Sequence, residues 1–317
     1  MSEFNRLNRR QLLLQSAGAA AAAGLLQTST SQAAIAQEPR FRFCMNTSTI
    51  RGQELSFLQK IDVIGRAGYD GIEPWIGEIH ESVEKGECTP ADIRRRLSDH
   101  NLKVESAIGF ARWIVDDDSE RAKGFEEMKR DMELIREIGG TRIAAPPVGA
   151  TDQTDLDLQK AAERYHALLE LGVQTGVTPQ LELWGFSKSL SRLGELMYVA
   201  VESGHPDACL LPDVYHIYKG GSPFTGLELV SGKPIYVMHM NDYPDIARSK
   251  IGDADRVYPG DGVAPIDEVL STLVANGFRG ALSLELFNRD YWQQDANEVA
   301  RTGLAKMKES VNRLSAD

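Results

Sequence analysis

The run Gln180-Leu181-Glu182-Leu183-Trp184 is short and mostly apolar, and it carries one carboxylate among residues that favour burial. Three later runs repeat this arrangement, with an ionisable group inside or at the end: Leu210–Asp213, Val237–His239 and Leu284–Phe287. Short apolar runs between helical stretches are typical of strands that are buried on both faces. The four ionisable residues follow one another at steps of 31, 26 and 46 positions, so each step is close to one strand–helix unit.

The rest of the chain continues this alternation of strand and helix patterns. The predicted strands are Phe41–Asn46, Gly71–Trp75, Lys103–Ile108, Thr141–Pro146, Pro179–Trp184, Cys209–Asp213, Ile235–Met240 and Ala281–Phe287. The clearest predicted helices are Leu55–Ala67, Phe125–Ile138, Ala161–Val173, Leu190–Val201 and Ile266–Ala275. This order predicts one α/β domain over residues 37–317, a (β/α)8 TIM barrel. A doubly wound open sheet is the alternative, but the expected Gly-rich loop is missing after the first strand.

The composition excludes several classes of protein. The chain has 317 residues, of which 42% are hydrophobic and 26% charged, and its formal net charge is −11. These values are ordinary for a globular protein, and the acidic balance argues against a nucleic-acid partner, which requires a basic face. Three cysteines (Cys44, Cys88 and Cys209) form neither a CxxC pair nor a zinc-knuckle spacing. We interpret them as buried or idle thiols.

Residues 1–36 have the pattern of an export signal. Arg9 and Arg10 precede the apolar stretch Leu12–Leu26, and Ala34–Ala36 offers a cleavage site of small residues. This layout is typical of twin-arginine signals and predicts a periplasmic or secreted protein. The apolar stretch is shorter than the roughly 20 residues that span a bilayer. None of the later apolar runs in the sequence is long enough to cross a membrane. An uncleaved anchor and a cytoplasmic protein with a chance arginine pair are the alternatives.

The ionisable residues of the four late strands predict a metal site. Carboxyl ends of barrel strands meet at one mouth, which would bring together Glu182, Asp213, His239 and Glu285. These strands hold no matching basic partner, and unpaired buried carboxylates are costly, so a divalent cation removes the conflict. Three oxygen donors and one nitrogen suit Mn²⁺ first, with Mg²⁺, Co²⁺ or Zn²⁺ as alternatives. Glu182 and Glu285 would flank the ion as acid and base, beside a neutral ketose or polyol.

Residues outside the four strand ends are weaker candidates. Trp75 and Trp113 follow the second and third strands, where an aromatic side chain could stack on a sugar or pack in the core. Glu73 shares its strand end with Trp75 and could be a pocket acid or an ion-pair partner. The run of three aspartates at residues 116–118 indicates a helix start, with Asp118 or Ser119 as the cap.

The motifs resemble a known family. Leu-Glu-Leu at 181–183, Asp-x-x-His at 213–216, His-x-Asn-Asp at 239–242, Asp-Arg-Val-Tyr-Pro-Gly-Asp-Gly at 255–262 and Ser-Leu-Glu-Leu-Phe at 283–287 are similar to the xylose-isomerase-like TIM-barrel superfamily of sugar isomerases and epimerases. The closest pattern is that of inosose isomerases, over residues 40–313. The resemblance implies the same four metal ligands and the acid/base pair Glu182 and Glu285. It also implies that His216 binds a substrate oxygen and that Arg256 reaches the substrate or a ligand carboxylate.

These observations predict a metal-dependent sugar or inosose isomerase or epimerase. The expected step is proton transfer beside a metal-bound carbonyl, through an enediolate. The first alternative is a lyase that acts on 3-keto-glycosides with the same base. A sugar-binding protein of the envelope without catalysis is an alternative of another class. A DNA-repair endonuclease would need more histidines and a basic face. The expected partner is a small sugar or cyclitol, with neither nucleic acid nor membrane, and an oligomer of identical chains is left open.

Overall fold

Short parallel strands alternate with helices through residues 41–314, which are the residues that the computed structural model describes. The strands are β1 Arg42–Asn46, β2 Gly71–Glu73, β3 Lys103–Val104, β4 Arg142–Ala145, β5 Thr178–Glu182, β6 Leu210–Leu211, β7 Val237–Met240 and β8 Ala281–Leu284. The helices are α1 Phe57–Ala67, α2 Ile76–Glu84, α3 Pro90–Asp99, α4 Asp118–Glu137, α5 Leu158–Thr175, α6 Leu193–Glu202, α7 Val214–Gly220, α8 Ile266–Ala275 and α9 Ala296–Arg313. Short 3₁₀ turns lie at Thr47–Gln53, Phe224–Leu229, Asp253–Asp255 and Tyr291–Gln293.

The strands follow one another around a ring. Five of them pair in the order β3-β2-β1-β8-β7, and three pair in the order β4-β5-β6. Backbone contacts join the two sets at both edges. The Ala144 N–H donates to Ala107 O at 2.8 Å beside β3 and β4, and Leu210 bridges Ile235 between β6 and β7. The parallel pairing and the strand order agree with the predicted barrel and not with an open sheet.

Helix α1 illustrates why the sequence folds locally as it does. Ser56 and Gln59 form a reciprocal capping box at its start, and Gly68 ends it with φ +90°, a conformation that glycine adopts without strain. Phe57, Ile61 and Ile64 are buried along one side, at helical spacing. Each buried side chain of this size contributes about 1.5–3 kcal/mol of transfer free energy. Helix α1 is thereby held against the barrel by an apolar stripe, as the spacing predicts.

Several element boundaries differ from the sequence expectations. Several strands end one to four residues early, because their last residues turn into the loops of the mouth. Helix α4 begins at Asp118, seven residues before the predicted Phe125, because the Asp117 side chain accepts the Glu120 N–H and caps the helix. The cap is therefore Asp117 and not Asp118 or Ser119.

The cysteines, the membrane-spanning potential and the export signal were also predicted from the sequence. Cys44, Cys88 and Cys209 are buried free thiols, as predicted. Within residues 41–314, no helix combines the length and the apolarity that a membrane crossing requires. The predicted export signal at residues 1–36 lies outside the described residues, and it stays a prediction.

A long loop between β7 and α8 is anchored by one carboxylate. Asp242 is buried, and its two oxygens accept the backbone N–H groups of Tyr243, Gly260, Gly262 and Ala264 at 2.8–3.0 Å. The Asp242 and Val257 backbones also bond to each other in both directions. These contacts fix the loop segment that carries Arg256 over the carboxyl end of the barrel.

Candidate active site

The structure brings the four predicted metal ligands together at the carboxyl ends of the strands. Glu182 ends β5, Asp213 caps α7 after β6, His239 lies in β7, and Glu285 follows β8. All four are buried. The Nδ1 atom of His239 lies 3.3 Å from Glu285 Oε2, 3.6 Å from Asp213 Oδ2 and 4.0 Å from Glu182 Oε1. One imidazole nitrogen therefore faces three carboxylates.

Arg256 is the cation that the strand sequences lack. Its Nη1 donates to Asp213 Oδ2 at 3.1 Å and to Glu285 Oε2 at 2.8 Å, and its Nη2 donates to Asp253 Oδ1 at 2.5 Å. The guanidinium carbon lies 4.2 Å from the ring centre of Tyr215. The prediction that Arg256 reaches a ligand carboxylate is met for two of them, but one cation cannot balance the carboxylates of Glu73, Glu182, Asp213 and Glu285, hereafter the four mouth carboxylates.

Burial and neighbouring charges shift the pKa values in different directions. Burial raises the pKa of Glu182 to about 8; His239 opposes this shift and Glu285 adds to it. Burial would also raise the pKa of Asp213, but Arg256, His216 and His239 together outweigh burial and the pKa falls. Burial disfavours the charged ring of His239, yet Glu73 and Glu285 raise its pKa well above the ordinary value. Glu182 is thus the mouth carboxylate that most readily carries a proton.

The donor set fits a divalent metal ion. Glu182, His239 and Glu285 each offer one atom, and these atoms lie within 4.8 Å of one another. Two ligands at opposite sides of one ion lie about 4.2 Å apart, because each metal–ligand bond is about 2.1 Å. His239 Nδ1 and Glu182 Oε2 are buried without a hydrogen-bond partner in the described residues. Asp213 stands beside this trio at 3.6 Å from His239 Nδ1. Hard oxygens and one imidazole without thiolates suit Mn²⁺, Mg²⁺, Co²⁺ or Zn²⁺.

His216 and Arg256 lie side by side next to this set. Burial lowers the pKa of His216 to about 4, so the ring is neutral near pH 7. The Gly185 N–H approaches His216 Nδ1 at 3.2 Å, and Arg256 Nη2, which can only donate, lies 3.1 Å from His216 Nε2. Both residues line the cavity, so a substrate oxygen can contact either of them.

A cavity of about 180 Å³ opens above these residues. Glu182, Glu285, His216, Arg256 and Asp253 supply its polar lining. Apart from Ile108, its apolar lining is a group of aromatic side chains that we call the aromatic collar: Trp75, Phe110, Trp184, Phe186 and Phe287. Neighbouring rings of the collar have centroids 4.8–6.2 Å apart. The site is therefore polar at its base and aromatic at its rim.

The structure separates the two tryptophan candidates. Trp75 lines the cavity, and its indole N–H donates to Asn46 Oδ1 at 2.9 Å. Trp113 is fully buried, and its indole N–H donates to Pro146 O at 2.8 Å, so it packs in the core and does not reach the cavity. The other four rings of the collar were missed from the sequence. Their common signal is an aromatic residue two to six positions beyond a strand end.

The comparisons with known proteins agree with this geometry. A family model described as xylose isomerase-like TIM barrel matches residues 61–310. The chain belongs to this family. An inosose isomerase from Bacillus velezensis is 27% identical over 266 residues, which cover 82% of this chain and 94% of that protein. A crystal structure of the IOLI protein with a bound zinc atom matches with a TM-score of 0.80 at 22% identity, covering 86% of this chain and 99% of that one.

A more distant relative carries another reaction. A 3-dehydroshikimate dehydratase from Pseudomonas aeruginosa is 23% identical over 257 residues, which cover 78% of this chain and 39% of that protein. Two inosose isomerases and an epimerase are also among the relatives, and the chain belongs with the enzymes of the isomerase and epimerase class.

Proposed function

We propose that the chain is a divalent-metal-dependent isomerase or epimerase of an inosose or a related ketose, which moves a proton on the carbon beside the carbonyl. The observation that carries this proposal is the convergence of His239 Nδ1 with Glu182, Asp213 and Glu285 at the base of the cavity. The inosose isomerase relative supports the substrate class, because it matches nearly its whole length. Mn²⁺ is the metal we expect, and zinc in the IOLI structure supports a divalent ion of this size.

The residues of the site divide the chemistry among them. Glu182, Asp213, His239 and Glu285 would hold the metal, which when bound supplies a Lewis acid that polarises the substrate carbonyl. Glu285 accepts hydrogen bonds from Arg256 and Asn46, and its carboxylate can take the proton from carbon. Glu182 can carry a proton near neutral pH and can return it, because its pKa is raised to about 8. His216 and Arg256 would bind the oxygen on which negative charge develops.

The test is proton exchange in D₂O. Purified protein with Mn²⁺ is incubated with inososes, ketohexoses and 3-keto-glycosides, and NMR follows deuterium beside the carbonyl. Incorporation that is lost in Glu182→Gln supports the proposal, and the rearranged product then names the substrate. Bound metal with no exchange on any member of the panel would contradict it and would favour a sugar-binding protein.

Elimination from 3-keto-glycosides is the second candidate. The same base could take the proton beside a keto group, after which the bond to the leaving group breaks and the aglycone departs with its electron pair. The aromatic collar favours this reading, since an aglycone can stack on Trp184 and Phe186 at the rim. The dehydratase relative supports an elimination within the family. Release of a free aglycone in the same NMR experiment distinguishes it from isomerisation.

We also propose that the protein is exported through the twin-arginine route. The support is the pattern of residues 1–36, with Arg9 and Arg10 ahead of the apolar stretch. This route carries folded proteins, so the metal could be acquired before transport. Fractionation of cells that express the wild type and the Arg9→Lys/Arg10→Lys variant tests the proposal. Equal amounts of both proteins outside the cytoplasm would refute it.

A further inference from the structure

Glu73 is a buried carboxylate to which the proposed reaction gives no role. It ends β2 and has no exposed surface. Its Oε2 accepts from Ser283 Oγ at 2.7 Å and from Asn46 Nδ2 at 3.0 Å, and it also lies 3.0 Å from His239 Nε2. Three groups from three other strands thus meet at one oxygen of Glu73, on the side of His239 that faces away from the other carboxylates.

The direction of the Asn46 amide is fixed by its own partners. Asn46 Oδ1 accepts the backbone N–H of Ser48 at 3.0 Å and the indole N–H of Trp75 at 2.9 Å. Its Nδ2 therefore faces the carboxylates, at 3.0 Å from Glu73 and 3.2 Å from Glu285. The amide and the Ser283 hydroxyl both donate, so Glu73 acts as an acceptor at this point.

This acceptor determines which ring nitrogen of His239 carries hydrogen. A lone pair on Nε2 would face the charged oxygen of Glu73 at 3.0 Å and be repelled, so Nε2 carries the hydrogen. The two atoms lie at ion-pair distance, although Nε2 makes no hydrogen bond of good geometry in the described residues. Turning the ring over would place a carbon against Glu73 and lose the contact.

The opposite ring nitrogen faces the other three carboxylates. Nδ1 lies 3.3 Å from Glu285, 3.6 Å from Asp213 and 4.0 Å from Glu182. Without metal, a proton on Nδ1 suits these contacts, and a bound metal ion would take the place of that proton. We propose that Glu73 is a positioning residue that selects Nδ1 of His239 as the metal donor, an inference that rests on the metal dependence in the proposed function.

Removing Glu73 is expected to weaken metal binding and to change which nitrogen of His239 bears hydrogen. Partners that hold the far nitrogen of a metal-bound histidine typically change metal affinity by about 10–100-fold. Glu73→Leu keeps the bulk but removes the acceptor, so we expect a loss of zinc affinity in this range. Glu73→Gln keeps an acceptor oxygen for the same donors. We therefore expect a smaller loss of zinc affinity, with hydrogen and metal on the same nitrogens of His239 as in the wild type.

The experiment measures zinc affinity and the position of hydrogen on the His239 ring separately. Zinc binding to the full chain is measured by competition with a chromophoric chelator. Long-range ¹H–¹⁵N spectra of ¹⁵N-histidine protein loaded with Zn²⁺ report which nitrogen of His239 bears hydrogen and which bears metal. Glu105→Gln is the matched control, because Glu105 is also a buried carboxylate but bonds Arg42 away from the cavity. We expect it to leave both readouts unchanged.

The outcomes separate this inference from the proposed function. In zinc-loaded wild type, hydrogen on Nδ1 and metal on Nε2 would overturn the inference, whether or not the variants fold. If Glu73→Leu keeps wild-type zinc affinity and the wild-type hydrogen position on His239, the inference is also overturned. The proposal of a metal-dependent enzyme is then unaffected. A wild type that binds neither Zn²⁺ nor Mn²⁺ would overturn both.

Discussion

Carboxylates are buried in different ways at the two ends of the barrel. Beside the first residues of β1 and β2, Glu105 receives two hydrogen bonds from Arg42, at 2.6 and 2.8 Å, so one guanidinium matches one carboxylate. At the carboxyl ends, Arg256 bonds only two of the four mouth carboxylates, and His239 Nδ1 has no hydrogen-bond partner in the part of the chain that the structure describes. A buried charge that is matched within the protein belongs to the fold, whereas an excess of charge indicates where a ligand completes the set.

The largest difference between the two ends is expected in turnover. Glu182→Gln removes the carboxyl that can carry the proton, and we expect kcat to fall by about 10²–10⁴-fold with the fold intact. The loss should appear in deuterium exchange and in product formation alike, with circular dichroism as the check on folding. Glu105→Gln should retain wild-type turnover. Equal losses in the two variants would remove the distinction between the ends.

The next effect concerns the stability of the protein without metal. Arg256→Met leaves Asp213 and Glu285 without their shared cation, and breaking a buried pair in this way costs about 3–5 kcal/mol. We expect a large loss in the free energy of unfolding in chelator and a partial recovery when Mn²⁺ is added. Arg42→Met at the other end should also destabilise the protein, but Mn²⁺ should not restore it. Denaturant unfolding with and without the ion measures both.

Metal binding should stabilise the wild type as well. An ion at 100 times its Kd adds about 2.7 kcal/mol to the free energy of unfolding, because it binds only the folded state. Thermal unfolding with Mn²⁺ or Zn²⁺ against chelator should therefore show a rise in Tm that Glu285→Gln reduces and Glu105→Gln preserves. The same rise in the Glu285 variant would mean that the ion binds elsewhere.

The sequence predicted the barrel and the meeting of four ionisable side chains for a physical reason. Glu182, Asp213, His239 and Glu285 lie at the ends of successive apolar runs, and barrel topology brings such ends to one mouth whatever the loops do. The role of Glu73 could not be predicted in this way. It depends on contacts with residues 27, 166 and 210 positions away, and the sequence shows only one more carboxylate at a strand end.

The conformations of the loops could not be predicted either, because they also depend on contacts with residues distant in the sequence. Phe110, Trp184, Phe186 and Phe287 lie after strand ends, and the direction of each side chain depends on the turn that follows. Arg256 was expected at the site only because its motif resembles a family, since nothing in its own segment shows that Asp242 anchors the loop over the barrel mouth.

At the amino end, Glu105→Gln should affect stability alone. The amide keeps the size of the carboxylate but loses the charge that Arg42 binds, so we expect a loss of about 1–3 kcal/mol in the free energy of unfolding. Urea unfolding measures the loss, and metal affinity measured on the same sample should match the wild type. A change in metal affinity would mean that the two ends are coupled through β1 and β3.

The smallest effect is expected at the rim of the cavity. Phe186 is 47% exposed and packs against Trp184 with ring centroids 5.1 Å apart, so Phe186→Ala removes one ring of the collar without opening the core. One aromatic contact is worth about 0.5–1.5 kcal/mol, and KM for a keto-glycoside with an aromatic aglycone should rise by up to about tenfold. KM for a free inosose should change little, because such a substrate does not reach the rim.

Tyr198→Ala is the matched control, since Tyr198 is 42% exposed but does not line the cavity. An equal rise for both substrates would assign Phe186 to the sugar ring itself and would count against elimination as the second candidate.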